Sequence, residues 1–283
     1  MGIKIVADRI IDLPDKELAD LDIDTISCYI NMGGKSYSDL EDVFLEDVFR
    51  FMEETGRVAT TAAKSPALYS EFFGKFVEKD DTVIHFAASS GISAIAANAK
   101  TAAKDYPGKV FVIDTLQLSF GIALLAKYAL QLISDGETDV EKIVALVTAK
   151  IPKVQGSFIL DTLDCLYKGG RCSGMTYYAA NLLRIKPAIH MNETGLMVVR
   201  EKHRGSQARV LEPYIRTTFE KRPNPDLDLL YIAYTTYNEA VLNNILHIVA
   251  KYHRFKDVRI HDVSCNCAVH SGKNTIGLFY MCK

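Results

Sequence analysis

The stretch Thr82-Val83-Ile84-His85-Phe86-Ala87-Ala88-Ser89-Ser90-Gly91-Ile92-Ser93 decides how the first half of this chain folds. A run rich in β-branched and aromatic residues stops at small hydroxyl residues and a glycine, and an alanine-rich helical pattern follows from Ser93 to Lys104. An apolar strand that feeds a helix through a short turn belongs to a parallel sheet covered on both faces. Outward from this unit, Ile3–Ala7, Thr25–Ile30 and Lys109–Ile113 read as further strands, and Leu45–Glu54, Pro66–Glu78 and Ser119–Ser134 as further helices. Ser65-Pro66 gives an N-cap with proline at the first helical position. Thr138 with Glu141 reads as a capping box that opens a helix to about Lys150.

The pattern changes after Ile151-Pro152-Lys153. Strands are expected at Gly156–Leu160, Ile185–Met191, Gly195–Lys202, Leu227–Tyr234, Val258–Val263 and Thr275–Met281. Two helices interrupt them, Gln207–Lys221 and Tyr237–Phe255, the second capped by Thr236 with Glu239. Asn192-Glu193-Thr194-Gly195 between apolar runs is a hairpin signal, so this sheet is at least partly antiparallel. The expectation is an α/β protein of two lobes. Residues 1–152 form a mainly parallel sheet between helices, and residues 153–283 a mixed α/β lobe.

Composition narrows the function classes. Of 283 residues 48% are hydrophobic, ample for a core, and 33 basic against 35 acidic residues give a net charge of -2. No global field holds nucleic acid or an anionic membrane. The start turns charged before a signal-peptide core could form, and Leu118–Leu132 is too short and interrupted to span a bilayer, so a cytoplasmic protein is expected. Six scattered cysteines read as reduced thiols; Cys265, Cys267 and His270 lack zinc-like spacing and a fourth ligand.

Several positions could carry chemistry. The Ser89-Ser90-Gly91 turn sits at the carboxyl edge of a strand, where a parallel sheet binds ligands and a helix start favours anions. Ser90 and Ser93 are either hydroxyl donors to a ligand or, for Ser90, a helix cap. Thr60 and Thr61 lie in a second hydroxyl cluster before a helix. Asp8 and Asp12 read as solvated turn carboxylates or as groups facing a ligand. Arg171 follows a glycine pair, and Arg200, Lys202, His203 and Arg204 form a basic group suited to a solvated face or an acidic partner. His270 is a loop histidine, structural or a donor to a carboxylate.

Taken in order, these segments resemble the DegV family along nearly the whole chain. Ile5-Val6-Ala7-Asp8-Arg9-Ile10-Ile11-Asp12-Leu13-Pro14 is similar to the family's opening, and Thr60-Thr61-Ala62-Ala63-Lys64-Ser65-Pro66 to its Thr-Ser-Gln-Pro-Ser stretch. Ser89-Ser90-Gly91-Ile92-Ser93 resembles its Ser-Ser-Gly-Leu-Ser turn, and His270-Ser271-Gly272 its His-Thr-Gly. The most specific pairing is Leu166-Tyr167-Lys168-Gly169-Gly170-Arg171-Cys172-Ser173 followed by Leu183-Arg184-Ile185-Lys186-Pro187.

The resemblance implies a cytoplasmic, bacterial, non-catalytic protein that holds a long-chain fatty acid between two lobes. It also implies presentation of the carboxylate to a separate fatty acid kinase subunit, with no cofactor of its own. Thr61, Ser93 and His270 then match the carboxylate site, with Thr60, Ser90 and Gly91 beside them, and Arg171 and Arg204 match positions facing the kinase subunit. The alternative is a stand-alone phosphotransferase or hydrolase using the Ser89-Ser90-Gly91 turn, against which no Gly-x-Ser-x-Gly elbow, nucleotide loop or metal pair is found. Ala7, Arg9, Ala62, Ala63, Lys64, Lys273 and Asn274 depart from the family pattern, several near the expected carboxylate site.

Overall fold

The computed structural model describes residues 2–172 and 185–283. Ser173, Leu183 and Arg184 of the paired motif lie outside the described residues. Thirteen described strands run in the order β1 (Ile3–Asp8), β2 (Asp24–Ile26), β3 (Tyr29–Met32), β4 (Lys35–Ser38), β5 (Thr60–Ala62), β6 (Thr82–Ala87) and β7 (Val110–Asp114), then β8 (Val154–Ile159), β9 (Ile185–Met191), β10 (Met197–Arg204), β11 (Pro225–Tyr234), β12 (Asp257–Asp262) and β13 (Ile276–Cys282). The described helices are α1 (Asp15–Asp20), α2 (Leu45–Thr55), α3 (Pro66–Val77), α4 (Ile95–Ala103) and α5 (Phe120–Ser134), then α6 (Val140–Lys150), α7 (Asp164–Lys168), α8 (Gln207–Lys221), α9 (Glu239–Tyr252) and α10 (Cys265–Ser271).

The first sheet has the order β2-β1-β6-β7 and every pairing is parallel. Alternate residues of its central strands face opposite helix layers. Val6 and Val83 pack on Phe72, Phe73 and Ala99 of α3 and α4, whereas Ile5, Ile84 and Phe86 join α5 and α6 in the larger core. All six residues of β6 are buried, as a strand covered on both faces requires. The second sheet, β10-β9-β8-β13-β11-β12, is antiparallel except for the parallel β11–β12 pair, so the expected mixed lobe is present. Helices α8 and α9 cover one face of it through Leu211, Tyr214, Ile245 and Val249.

The other face of that sheet packs on the first lobe. Phe120 of α5 stacks on Tyr231 of β11 with centroids 4.6 Å apart, and Phe279 of β13 meets the same ring at 6.0 Å. Helix α5 is thus an apolar rod between two sheets, which explains its near-continuous hydrophobic sequence. Among the described residues no helix is long and apolar enough to cross a membrane. A polar tie joins the lobes as well: Glu17 Oε1 accepts from Tyr231 Oη at 2.7 Å, from Lys127 Nζ at 2.6 Å and from Arg259.

Several local expectations are corrected. Thr25–Ile30 is two strands in different sheets, because Ser27 and Cys28 fall outside both ladders and the Cys28 carbonyl bonds to Asp39 N–H instead. Strands β4, β3 and β5 make a small antiparallel sheet whose β3–β4 hairpin turns at Gly33 and Gly34, with φ of 57° and 80°. The cap of α6 is Asp139, which accepts from Lys142 N–H, and that of α9 is Asn238, which accepts from Val241 N–H. In both cases a carboxylate or amide nearer the first turn displaces the threonine. Helix α4 starts at Ile95 rather than Ser93, because Ser93 Oγ takes the Ile95 N–H and Ser90 serves as no cap. His270 lies on α10 and not in a loop.

Candidate functional site

A cavity of about 260 Å3 lies between the lobes. Its walls are largely apolar, with Ile10, Ile92 and Leu118 from the first lobe facing Phe158, Met197 and Phe279 from the second. Its polar lining includes four groups from four different segments: Thr61 from β5, Ser93 from the turn after β6, Arg171 after α7, and His270 near the end of α10.

Each segment is held by identifiable contacts. Thr61 pairs with Ile30 in the small sheet, so strand alternation sends Thr61 and Thr60 to opposite faces. The turn after β6 is fixed by the second lobe. Ser89 Oγ donates to Gly195 O at 2.7 Å, accepts from Gly91 N–H at 3.1 Å, and is buried. A Cβ on Gly91 would stand 2.5 Å from Gly195 O, so only glycine permits this approach. Helix α10 is held from the first lobe. Asp39 accepts from the N–H groups of Cys265 and Asn266, each at 2.9 Å, Asp12 accepts from Ser264 N–H at 2.9 Å, and Ser264 Oγ accepts from Cys267 N–H.

Asp8 and Asp12 are therefore not solvated turn carboxylates. Both are buried, because each satisfies main-chain N–H groups inside the fold: Asp8 accepts from Ala88 N–H and from the Tyr69 hydroxyl. Nor do the cysteines of α10 form a metal cluster; Cys265 Sγ donates to Val43 O, and no metal-holding group occurs among the described residues.

The central pair is Thr61 Oγ1 and His270 Nε2, 2.8 Å apart. Burial, with the nearby Arg171 charge adding to it, lowers the His270 pKa to about 4, so the imidazole is neutral at physiological pH. With its proton on Nε2 it donates to Thr61 and leaves the threonine proton for a ligand. Arg171 Nε donates to Ile92 O at 3.3 Å and a terminal nitrogen to Gly169 O at 2.6 Å, which ties the guanidinium across the lobes. A fixed cation, two hydroxyls and a neutral histidine at one side of an apolar cavity can receive a carboxylate without leaving it bare.

Of the residues singled out in the sequence, the structure brings Thr61, Ser93, His270 and Arg171 to this cavity. Thr60 and Ser90 are exposed and off it; Ser90 N–H bonds to Asp114. Gly91 acts through the turn it permits, and Arg204 is exposed at the end of edge strand β10. Ala62 and Ala63 line the cavity as short side chains, whereas Lys64 lies over the Tyr29 ring at 3.5 Å and Lys273 pairs with Glu53. Asp39, Asn266 and Ser119 carry no local signal in the sequence, since the groups they meet come from distant segments.

Two buried groups titrate in opposite senses. Burial lifts the Asp12 carboxyl to about 6 against an ordinary 3.8, so ionisation at neutral pH costs the fold, and acid relieves that cost. His270 is depressed to about 4 from 6.5, so acid favours the unfolded chain over that range. Each is worth on the order of 3 kcal/mol, and they largely offset one another. Asp12→Asn is expected to raise stability by about 1–3 kcal/mol at pH 7.5 and to lose that gain as pH falls towards 4. Urea unfolding across this range measures it; parallel curves for the two proteins would contradict the assignment.

Known proteins share this architecture. The family model described as "Uncharacterised protein, DegV family" matches residues 2–283. A DegV domain-containing protein of Clostridium acetobutylicum is 30% identical, over 99% of this chain and 98% of its own. A fatty acid-binding protein of Thermotoga maritima is 27% identical, over 98% of this chain and 96% of its own. The solved structure of a fatty-acid-binding DegV family protein from Thermus thermophilus superimposes with a TM-score of 0.91, at 24% identity and full coverage of both chains. With the family model spanning all but the first residue, this chain belongs to the DegV family.

Proposed function

We propose that this protein binds a long-chain fatty acid in the interlobe cavity and presents its carboxylate to a separate fatty acid kinase subunit. The observation that carries the reading is the buried Thr61–His270 pair, set with Ser93 and Arg171 on a largely apolar wall. The Thermotoga maritima relative named as a fatty acid-binding protein supports the same ligand. Burying an acyl chain of about 14 methylenes is favourable by roughly 11 kcal/mol before association costs. Its head group then needs hydrogen-bond partners rather than water, which the four polar residues provide. The Ser89 hydroxyl is already committed to Gly195 and Gly91, which favours a positioning role over a nucleophilic one. The partner would supply ATP, metal and the phosphoryl-transfer machinery, and this chain the position of the attacking carboxylate oxygen.

Native mass spectrometry of protein purified from bacteria, followed by organic extraction, tests the ligand. A mass increment matched by an extracted fatty acid is expected; a chain that stays empty after incubation with long-chain fatty acids would reject the reading. Arg204 separates the two roles, because it is exposed and off the cavity. Arg204→Glu should reduce acyl phosphate formation with a kinase subunit about tenfold while fatty acid retention stays unchanged. Unaltered coupling would remove Arg204 from the partner face. Arg171, which lines the cavity, is expected to affect both steps.

A further inference from the structure

The two glycines that precede Arg171 are there for different reasons. Gly170 has φ of 74° and closes the turn after α7, as a left-handed residue at a helix end does. Gly169 has φ of -78° and ψ of -2°, a right-handed conformation that most residues adopt. Backbone geometry therefore accounts for the second glycine and not for the first. Contact with α10 accounts for the first. A Cβ on Gly169 would stand 2.5 Å from His270 Nδ1 and 3.0 Å from Cε1, closer than the ring tolerates. The hydrogen that glycine carries there faces Nδ1 instead, and Nδ1 is buried with no hydrogen-bond partner.

The far edge of the imidazole is fixed too, because Nε2 is 2.8 Å from Thr61 Oγ1. Arg171 is tied to the same glycine, whose carbonyl accepts from a terminal guanidinium nitrogen at 2.6 Å. One residue thus meets two of the polar side chains of the cavity, His270 on its α-carbon side and Arg171 at its carbonyl. We infer that Gly169 is a positioning residue for the head-group site: having no side chain, it lets the His270 ring seat against the end of α7, where the ring reaches Thr61 and keeps a set distance from Arg171. The inference rests on the fatty acid reading above and names a residue through which that site is assembled. A side chain at this position would push the ring away from Thr61, and the threonine hydroxyl would lose the partner that orients its proton towards a carboxylate.

A second contact has to be separated from this one. The same Cβ would lie 2.9 Å from the Cys165 carbonyl, one turn back on α7. That cost is local to the helix and is the same whatever stands at position 270, so a double-variant cycle tells the two apart. The test is displacement of a bound fluorescent fatty acid by hexadecanoic acid from the delipidated full chain, for the wild type, Gly169→Ala, His270→Ala and the double variant. Gly169→Ala is expected to weaken binding about tenfold when His270 is present, the effect of one misplaced hydrogen bond to a charged group, and less than about twofold when it is alanine. Equal losses in both backgrounds, or none in the first, overturn the inference. Nitrogen NMR of the His270 ring adds a signature that damage confined to α7 would not produce. The wild type should show a neutral ring protonated on Nε2 with a bare Nδ1, and Gly169→Ala a mixture of the two tautomers. An unchanged ring spectrum overturns the positioning role. Should Gly169→Ala fail to fold, the double variant is expected to be the more stable of the two, and equal instability refutes the inference. If hexadecanoic acid displaces nothing from the wild type, the fatty acid reading itself fails, while the ring spectra still judge Gly169.

Discussion

Asp39→Ala is expected to lower stability by about 2–4 kcal/mol and to impair ligand binding with it. Asp39 is fully buried, and its two oxygens take the N–H groups of Cys265 and Asn266 at the start of α10. Removing the carboxylate leaves two buried donors unsatisfied, each worth about 1–3 kcal/mol. Part of that loss is offset, because burial holds the Asp39 carboxyl above its usual range and alanine relieves the cost of keeping it ionised. The net therefore lies below the sum of two orphaned groups. Its functional reach follows from position: α10 carries His270, so a frayed first turn loosens the histidine against Thr61. Asp39→Asn keeps one good acceptor and should recover about half of the loss. Urea unfolding followed by circular dichroism decides the matter. A change under about 1 kcal/mol for Asp39→Ala would mean that the helix is held by Asp12 and Ser264 alone.

How much of this was readable in the sequence depends on how local the signal is. The β6 strand and the turn after it were legible because a run rich in β-branched and aromatic residues leads straight into two serines and a glycine. The β9–β10 hairpin was legible from Asn192–Gly195. The β3–β4 hairpin carries a comparable mark, Gly33-Gly34, but each strand has only four residues and β4 is mostly polar, so no apolar run flanks the turn on both sides. Thr61, Ser93 and His270 stood out only through an ordered set of motifs; nothing local says that residues 209 positions apart touch. The burial of Asp8 and Asp12 is hidden in the sequence for the same reason, since their partners at Ala88 and Ser264 come from distant segments. A carboxylate after a strand has the same local sequence whether water or a buried N–H group will satisfy it.

Thr61→Val with Ser93→Ala should weaken fatty acid binding about a hundredfold. Each substitution removes a hydroxyl and keeps most of the side-chain volume, so the cavity retains its shape. Hydrogen bonds to a charged group contribute about 1.5–3 kcal/mol each, and losing two accounts for the factor even when they are not fully additive. Neutral His270 cannot take over, because its pKa of about 4 keeps it uncharged and its Nε2 loses Thr61 as a partner. Arg171 would remain, held to Ile92 and Gly169, and so sets a floor under the loss. Affinity for the acyl chain itself is unaffected, which allows a sharper comparison than affinity alone. The wild type should prefer a fatty acid over its methyl ester by about the same factor, because the ester carries no charge for these donors to satisfy. The double variant should keep only the smaller part of that preference that Arg171 supplies, while binding the ester as the wild type does. Were both proteins to discriminate equally, Thr61 and Ser93 would not be the carboxylate's partners, and the head group would have to lie at another point of the cavity wall.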